Sequence, residues 1–163
     1  MKKTLALLLF ITSVLLSLTG CMQLIGYEEI DYQFYQDTAN IKSIDLIKIT
    51  NSDYDFDDNG DEQITVYEFD VLTTITDINK FLADFGEMLC YKIRKIVDLY
   101  PETGEYAVKI NYTDGASEIS GAYGQIFIIG GTYVISDNVQ YFNEDEFNAL
   151  IEFYVASNNY FEI

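Results

Sequence analysis

The chain has 163 residues, of which 27 are acidic and 9 basic, and it contains no histidine. The absence of histidine excludes Ser-His and Cys-His nucleophilic catalysis and the usual zinc sites. The formal net charge of −18 argues against nucleic acid as a partner, because nucleic-acid binding depends on Lys and Arg side chains that neutralise phosphates.

The N-terminus has the parts of a secretory signal peptide. Lys2 and Lys3 give it a positive start, and an apolar run follows from Leu5 to Leu18. This run is shorter than the roughly 20 apolar residues that cross a membrane comfortably. We therefore expect residues 1–20 to be a cleaved signal peptide. An uncleaved anchor helix is the alternative.

The end of this leader, Leu18-Thr19-Gly20-Cys21, resembles the lipobox of bacterial lipoproteins, L-[AST]-[GA]-C. The resemblance implies cleavage before Cys21, a diacylglyceryl group on the Cys21 thiol and usually acylation of the new amine. Two or three acyl chains anchor a protein stably, whereas one chain binds only marginally. The expected location is therefore the extracytoplasmic face of the cell membrane, unless Cys21 is a bystander to ordinary cleavage.

Residues 21–163 retain seven basic and 27 acidic residues, a net charge of −20. Anionic headgroups would repel such a domain, so we expect the lipid on Cys21 to make the membrane contact. The charge suits a solvated acidic surface, which is the preferred interpretation, and the alternatives are a basic partner or divalent cations. With Cys21 lipidated, Cys90 is the remaining thiol, and we expect it to be buried and structural.

Residues 21–40 are interpreted as a lipidated N-terminal arm and residues 41–163 as a single domain. The arm is not the Ser/Gly-rich tether that many lipoproteins carry, because it contains Ile30, Phe34 and Tyr35. We expect part of the arm to pack on the domain.

Two segments rich in β-branched and aromatic residues, 41–50 and 63–72, predict strands on either side of an acidic tract. A helix is predicted next, capped by Thr76 or Asp77. Its apolar face comprises Ile78, Phe81, Leu82, Phe85 and Leu89.

Alternation and turn residues predict five further strands, within residues 90–100, 105–112, 116–123, 125–129 and 132–136. A final helix follows Asn143 as cap, with Phe142 stapled onto Phe147. The order ββαβββββα predicts an α+β fold, an antiparallel sheet of about six or seven strands with two amphipathic helices packed on one face. The other face of the sheet, or a groove beside it, is expected to be free for binding.

The acidic tract between the first two strands has the ligand order of a calcium-binding loop. Asp, Asn and Asp stand at the first, third and fifth positions, a backbone carbonyl at the seventh and a bidentate Glu at the twelfth. The predicted metal ligands are Asp57, Asn59, Asp61, Gln63 and Glu68.

Two features oppose a true EF-hand. Glu62 stands where the sharp turn normally requires Gly, and a left-handed residue other than Gly costs about 1 kcal/mol or more. The flanking segments also favour strands rather than the helices of an EF-hand. Three interpretations remain: an EF-hand, calcium held otherwise by an acidic hairpin tip, and a solvated acidic loop.

The segments ITDINKFLADF, VKINYTDG and YFNEDEFNALI, with the pairs CY and GQ, resemble a pattern found in small uncharacterised bacterial surface lipoproteins. The resemblance spans roughly residues 41 to 155. It implies a surface-displayed domain and assigns no catalytic residues.

The functional hypothesis is a lipid-anchored module that binds or tethers an envelope or secreted protein. We assign no catalytic residue, because 27 acids make any choice of an acid/base pair arbitrary. The alternative is a surface receptor that binds calcium or a small solute through the acidic loop at residues 53–62.

Overall fold

The structure is a computed structural model that describes residues 27–56, 62–93, 101–135 and 139–159. The described part contains nine strands, a 3₁₀ turn at Thr38–Asn40 and two α-helices. The strands are β1 Tyr27–Ile30, β2 Ile41–Phe56, β3 Glu62–Thr74, β4 Cys90–Ile93, β5 Tyr106–Tyr112, β6 Ser117–Gly121, β7 Gly124–Ile129, β8 Thr132–Ile135 and β9 Val139–Phe142. The helices are α1 Ile78–Gly86 and α2 Glu144–Asn159.

The strands form two antiparallel sheets, and the predicted α+β class is confirmed. The six-stranded sheet has the order β3-β2-β5-β6-β7-β8, so every strand from β5 to β8 pairs with its neighbour in sequence. The second sheet has the order β1-β4-β9 and was not predicted as a separate unit. Its edge strand β1 comes from the N-terminal arm, so the described part of the arm, from Tyr27 onward, belongs to the fold.

Helix α1 begins at the predicted cap. The carboxylate of Asp77 accepts a hydrogen bond from the Lys80 backbone N–H at 3.0 Å, which satisfies one of the free donors of the first turn. The helix ends at Gly86, earlier than the apolar pattern suggested, so Leu89 lies beyond it and is exposed.

Helix α2 is capped by Asn143, whose side-chain oxygen accepts from the Glu146 backbone N–H at 3.1 Å. The Phe142 and Phe147 rings lie 5.3 Å apart, as expected for a hydrophobic staple. Among the residues that the structure describes, no helix is both long and apolar enough to cross a membrane.

The main core lies between the helices and one face of the six-stranded sheet, and the small sheet contributes to it. Phe85 of α1 lies at its centre and is fully buried. Its ring is within 6.4 Å, centroid to centroid, of five other rings that belong to the arm, the small sheet and both helices. They are Tyr32, Phe34, Phe81, Phe142 and Phe147.

The opposite face of the six-stranded sheet carries a second core, which corrects the expectation of a free face. Ile47, Ile49, Ala107, Ile119 and Ile126 on this face are all fully buried.

The face is covered because the sheet curls on itself. Tyr67 lies on β3 and Tyr133 on β8, the two outer strands of the sheet. Their rings are 5.9 Å apart, and the Tyr133 hydroxyl donates to the Tyr67 carbonyl at 3.2 Å. A strongly twisted sheet can bring its edges together in this way. This face of the sheet is therefore not free for binding.

We predict that Phe85→Ala lowers the free energy of unfolding by about 3–5 kcal/mol, because it opens a cavity where the arm, the helices and the small sheet meet. Phe153→Ala is the matched control, since Phe153 is 57% exposed and its truncation should cost less than about 0.5 kcal/mol. Urea unfolding of the full chain measures both. Equal losses in the two variants would contradict the central position of Phe85.

Candidate functional site

The predicted calcium ligands fall on the hairpin that joins β2 and β3. Asp57, Asn59 and Asp61 lie outside the described residues, whereas Gln63 and Glu68 lie in β3. Strands flank the acidic tract, as the sequence predicts, and the helices of an EF-hand are replaced by β2 and β3.

The hairpin does not bring Glu68 to the acidic tip. Glu68 is paired with Asn51, whereas the last described pair before the tip is Phe56 with Glu62. At about 3.3 Å per residue, the six steps from Glu62 to Glu68 span about 20 Å. Among the described residues no group of three or more His, Cys, Asp or Glu side chains could hold a metal ion. Calcium binding by the tip stays a prediction.

A buried carboxylate is the most unusual polar feature of the described part of the chain. Glu118 lies on β6 with no exposed surface, on the face of the sheet that meets the main core. Its neighbours across the strands are Ile110 and Phe127, which are apolar. Among the described residues no Lys or Arg side chain forms an ion pair with it.

Three donors satisfy Glu118, and two of them come from the arm. One carboxylate oxygen accepts from the Tyr32 hydroxyl at 2.9 Å. The other accepts from the Tyr35 backbone N–H at 2.6 Å and from the Tyr112 hydroxyl at 2.9 Å. Hydrogen bonds to a charged group are stronger than neutral ones, so this arrangement offsets part of the cost of burying the carboxylate.

The Tyr32 hydroxyl connects Glu118 to other buried polar groups. It lies 2.9 Å from the Ser120 hydroxyl and accepts from the Gln125 side-chain amide at 2.9 Å. A phenol has one proton, so when Tyr32 donates to Glu118 the Ser120 hydroxyl donates to Tyr32. The two hydroxyls and the amide therefore form one connected network with the carboxylate.

Gln140 of β9 extends the network to the arm backbone. Its side-chain oxygen accepts from the Gln33 N–H at 2.7 Å, and its amide donates to the Gln33 carbonyl at 2.9 Å. The same amide donates to Gln125 at 2.9 Å. The side chain of Gln140 thus pairs with the arm as a neighbouring strand would. The side chains of Gln125 and Gln140 are almost fully buried.

Burial raises the pKa of Glu118 above its ordinary value, and the hydrogen bonds from Tyr35, Tyr112 and Tyr32 oppose this rise. Burial also raises the pKa of Tyr32 and of Tyr112, and the nearby Glu118 charge adds to both. Both phenols therefore remain protonated donors at physiological pH.

An open cleft with a volume of about 340 Å³ lies on the surface, between the 101–105 turn and the start of α2. Tyr106 and Tyr123 contribute aromatic surface, and the Tyr123 hydroxyl donates to Glu144 at 2.5 Å. The other lining residues are mainly polar: Lys48, Glu102, Thr103, Gly104, Glu105 and Asn148. Three carboxylates against one lysine give this acidic cleft a negative charge.

Glu105 stabilises the two turns that line the acidic cleft. Its carboxylate accepts from the Ala122 N–H at 2.6 Å and from the Glu102 N–H at 2.8 Å, and burial raises its pKa. Gly121 is required beside it, because a Cβ there would lie 2.7 Å from the Glu105 carboxylate and 2.9 Å from Pro101. Glu105 is therefore committed to backbone donors and holds two turns together.

Two other groups that could be reactive, the Cys90 thiol and the Lys80 ammonium, have structural roles. Cys90 is buried, as predicted, and burial raises its pKa to about 12, so the thiol is inert at neutral pH. The Lys80 ammonium lies 2.6 Å from Asp84, and Tyr154 donates to the same carboxylate at 2.6 Å. Lys80 also donates to the Tyr154 hydroxyl at 3.0 Å, which joins α1 to α2. The hydrogen bonds from Lys80 to Asp84 and to Tyr154 raise the pKa of Lys80, which stays charged.

Sequence reasoning missed the network around Glu118. The signal was the alternation in β6, which places Glu118 and Ser120 on the face opposite Ile119. The chain matches no protein-family model, no curated protein and no solved structure.

We predict that Glu68→Gln leaves the effect of calcium on thermal unfolding unchanged, because Glu68 is about 20 Å along the strand from the tip. Asp61→Asn is the companion variant, and the melting temperature of the full chain is compared in calcium, magnesium and chelator at matched ionic strength. A calcium response that Glu68→Gln removes would contradict the geometry.

We predict that Tyr32→Phe lowers the free energy of unfolding by about 1–3 kcal/mol, since it leaves Glu118, Ser120 and Gln125 short of a partner. Tyr35→Phe is the matched control, because Tyr35 serves Glu118 through its backbone N–H and its ring is partly exposed. Chemical unfolding measures both, and a loss confined to Tyr35→Phe would overturn the prediction.

Proposed function

We propose that the protein is a lipoprotein, anchored through Cys21 at the extracytoplasmic face of the cell membrane, whose single domain binds an envelope or secreted protein. The observation that carries this proposal is the leader that ends in Leu18-Thr19-Gly20-Cys21 and runs almost directly into the fold.

The short distance from Cys21 to the fold supports a position close to the membrane. Strand β1 begins at Tyr27, six residues after Cys21. Six residues span at most about 20 Å. From Tyr27 onward the arm is held first by pairing with β4 and then by the Glu118 network. The linker between the proposed anchor and the domain is therefore short.

The acidic cleft is the surface that best suits a protein partner. Tyrosine is enriched at recognition surfaces, and Tyr123 is 40% exposed. The surplus of Glu102, Glu105 and Glu144 over Lys48 favours a partner segment that carries Lys or Arg. The covered sheet face leaves this cleft as the better candidate surface.

Lipidation is tested by metabolic labelling with a fatty-acid analogue in a bacterium that processes lipoproteins. We predict that Cys21→Ser abolishes the label and releases the chain from the membrane fraction. Cys90→Ala, the matched control, should keep the label, because the Cys90 thiol is buried in the fold. A label that persists in Cys21→Ser would contradict the anchor.

Partner binding is tested by cross-linking in intact cells. The charge-reversed variant Glu102→Lys with Glu144→Lys should lose a cross-linked product that the native chain forms. Glu68→Lys with Asp70→Lys makes the same change in charge on exposed positions of β3 and should retain the cross-linked product. Identical products from both variants would rule out the acidic cleft as the binding surface.

A further inference from the structure

We propose that residues 27–36 of the N-terminal arm form a latch on the domain. Docking of this latch is coupled to proton uptake by the buried carboxylate of Glu118. The latch is a property of the folded chain. Its consequence at the membrane rests on the proposed lipid anchor.

The latch is built from contacts that the arm makes on both sides of Glu118. Tyr32 inserts its ring among Phe34, Phe85 and Phe142 at centroid distances of 4.8, 4.9 and 5.5 Å. Its hydroxyl donates to one carboxylate oxygen, and the Tyr35 N–H donates to the other. The arm therefore covers the carboxylate and supplies two of its three donors.

Further contacts hold the arm on either side of its hydrogen bonds to Glu118. Gln140 clamps the Gln33 backbone, and the Tyr35 ring lies 4.8 Å from the Phe127 ring. The Gln36 side-chain amide donates to Asp114 at 2.7 Å. Departure of the arm would break these contacts together and open the face of β6 to water.

Among the residues that the structure describes, no charged side chain contacts Glu118 that could replace the hydrogen bonds from the arm. The titratable groups that face it are Tyr32 on the arm and Tyr112 on β5. Ile110 and Phe127 flank it on the neighbouring strands. A buried carboxylate with three hydrogen bonds and no cation among the described residues is less well solvated than in water.

The direction of the coupling between arm docking and proton binding follows from the poorer solvation of the buried carboxylate. With the arm docked, burial raises the pKa of Glu118, and with the arm away the hydrated carboxylate returns towards its ordinary value. Proton binding therefore favours the docked arm. Its contribution is complete below the ordinary pKa and is lost as the pH rises through the raised one, so the latch is tighter in mild acid.

Release would change how far the domain reaches from the membrane. With the arm docked, six steps separate Cys21 from the fold and span at most about 20 Å. With residues 27–36 released, the tether would consist of residues 22–36, which can extend to about 50 Å. The latch would thus set the height at which the acidic cleft meets its partner.

Hydrogen exchange of the full chain, purified in detergent, tests the latch. Exchange of peptides covering the arm is compared with that of β5 between about pH 5 and about pH 8, after correction for intrinsic rates. We expect arm protection relative to β5 to rise towards acid, by up to about tenfold per pH unit within the range in which Glu118 titrates.

Glu118→Gln should flatten this dependence, whereas Glu152→Gln, an exposed control on α2, should keep it. A pH-independent ratio in the native chain would overturn the proposal whether or not Glu118→Gln folds. An unchanged slope in a folded Glu118→Gln chain would overturn it as well. The Cys21→Ser chain should show the native profile, so failure of the anchor is distinguishable from failure of the latch.

Discussion

The burial of Glu118 is the constraint on which the rest of the structure depends. A carboxylate without exposed surface needs donors on both oxygens, and the six-stranded sheet supplies only Tyr112 among them. The arm supplies Tyr32 and the Tyr35 N–H, and β9 supplies Gln140 to hold the arm in register. The arm, the small sheet and the large sheet therefore close around one charged group, because leaving it unpaired would cost several kcal/mol.

Two features of the fold bear on the proposed function. The first is that the arm is part of the folded core from Tyr27 onward, so the proposed lipid anchor at Cys21 would hold the domain close to the membrane. The second concerns the binding surface. Because Tyr67 and Tyr133 join the two edges of the large sheet, its far face forms a second core, and the acidic cleft beside α2 becomes the better candidate surface.

The local elements could be predicted from the sequence, because their signals are local. Asp77 and Asn143 cap the two helices, and the alternation in β5 gives its buried face. The curl of the sheet and the separate small sheet could not be predicted, since they depend on contacts between strands far apart in the chain. The pairing of β1 with β4 joins residues about 60 positions apart, and no local pattern encodes it.

For the candidate sites too, local patterns could be predicted from the sequence and long-range contacts could not. The acidic tract at residues 57–68 was visible as a ligand pattern, but β3 is extended from Glu62 to Glu68 and carries Glu68 away from the start of the strand. Glu118 is one of 27 acids, and no sequence pattern indicated that it is buried and hydrogen-bonded by the arm. Its importance comes from Tyr32 and Gln140, which lie on other elements, so only the three-dimensional arrangement reveals it.

A double-mutant cycle between Tyr32→Phe and Glu118→Gln tests most directly whether the arm and the domain close around this carboxylate. The free energies of unfolding of the native chain, the two single variants and the double variant are measured under one set of conditions. We predict a coupling energy of about 0.5–3 kcal/mol, as found for residues in one hydrogen-bond network. A coupling energy near zero, with additive losses, would show that the two side chains act independently and would contradict this account.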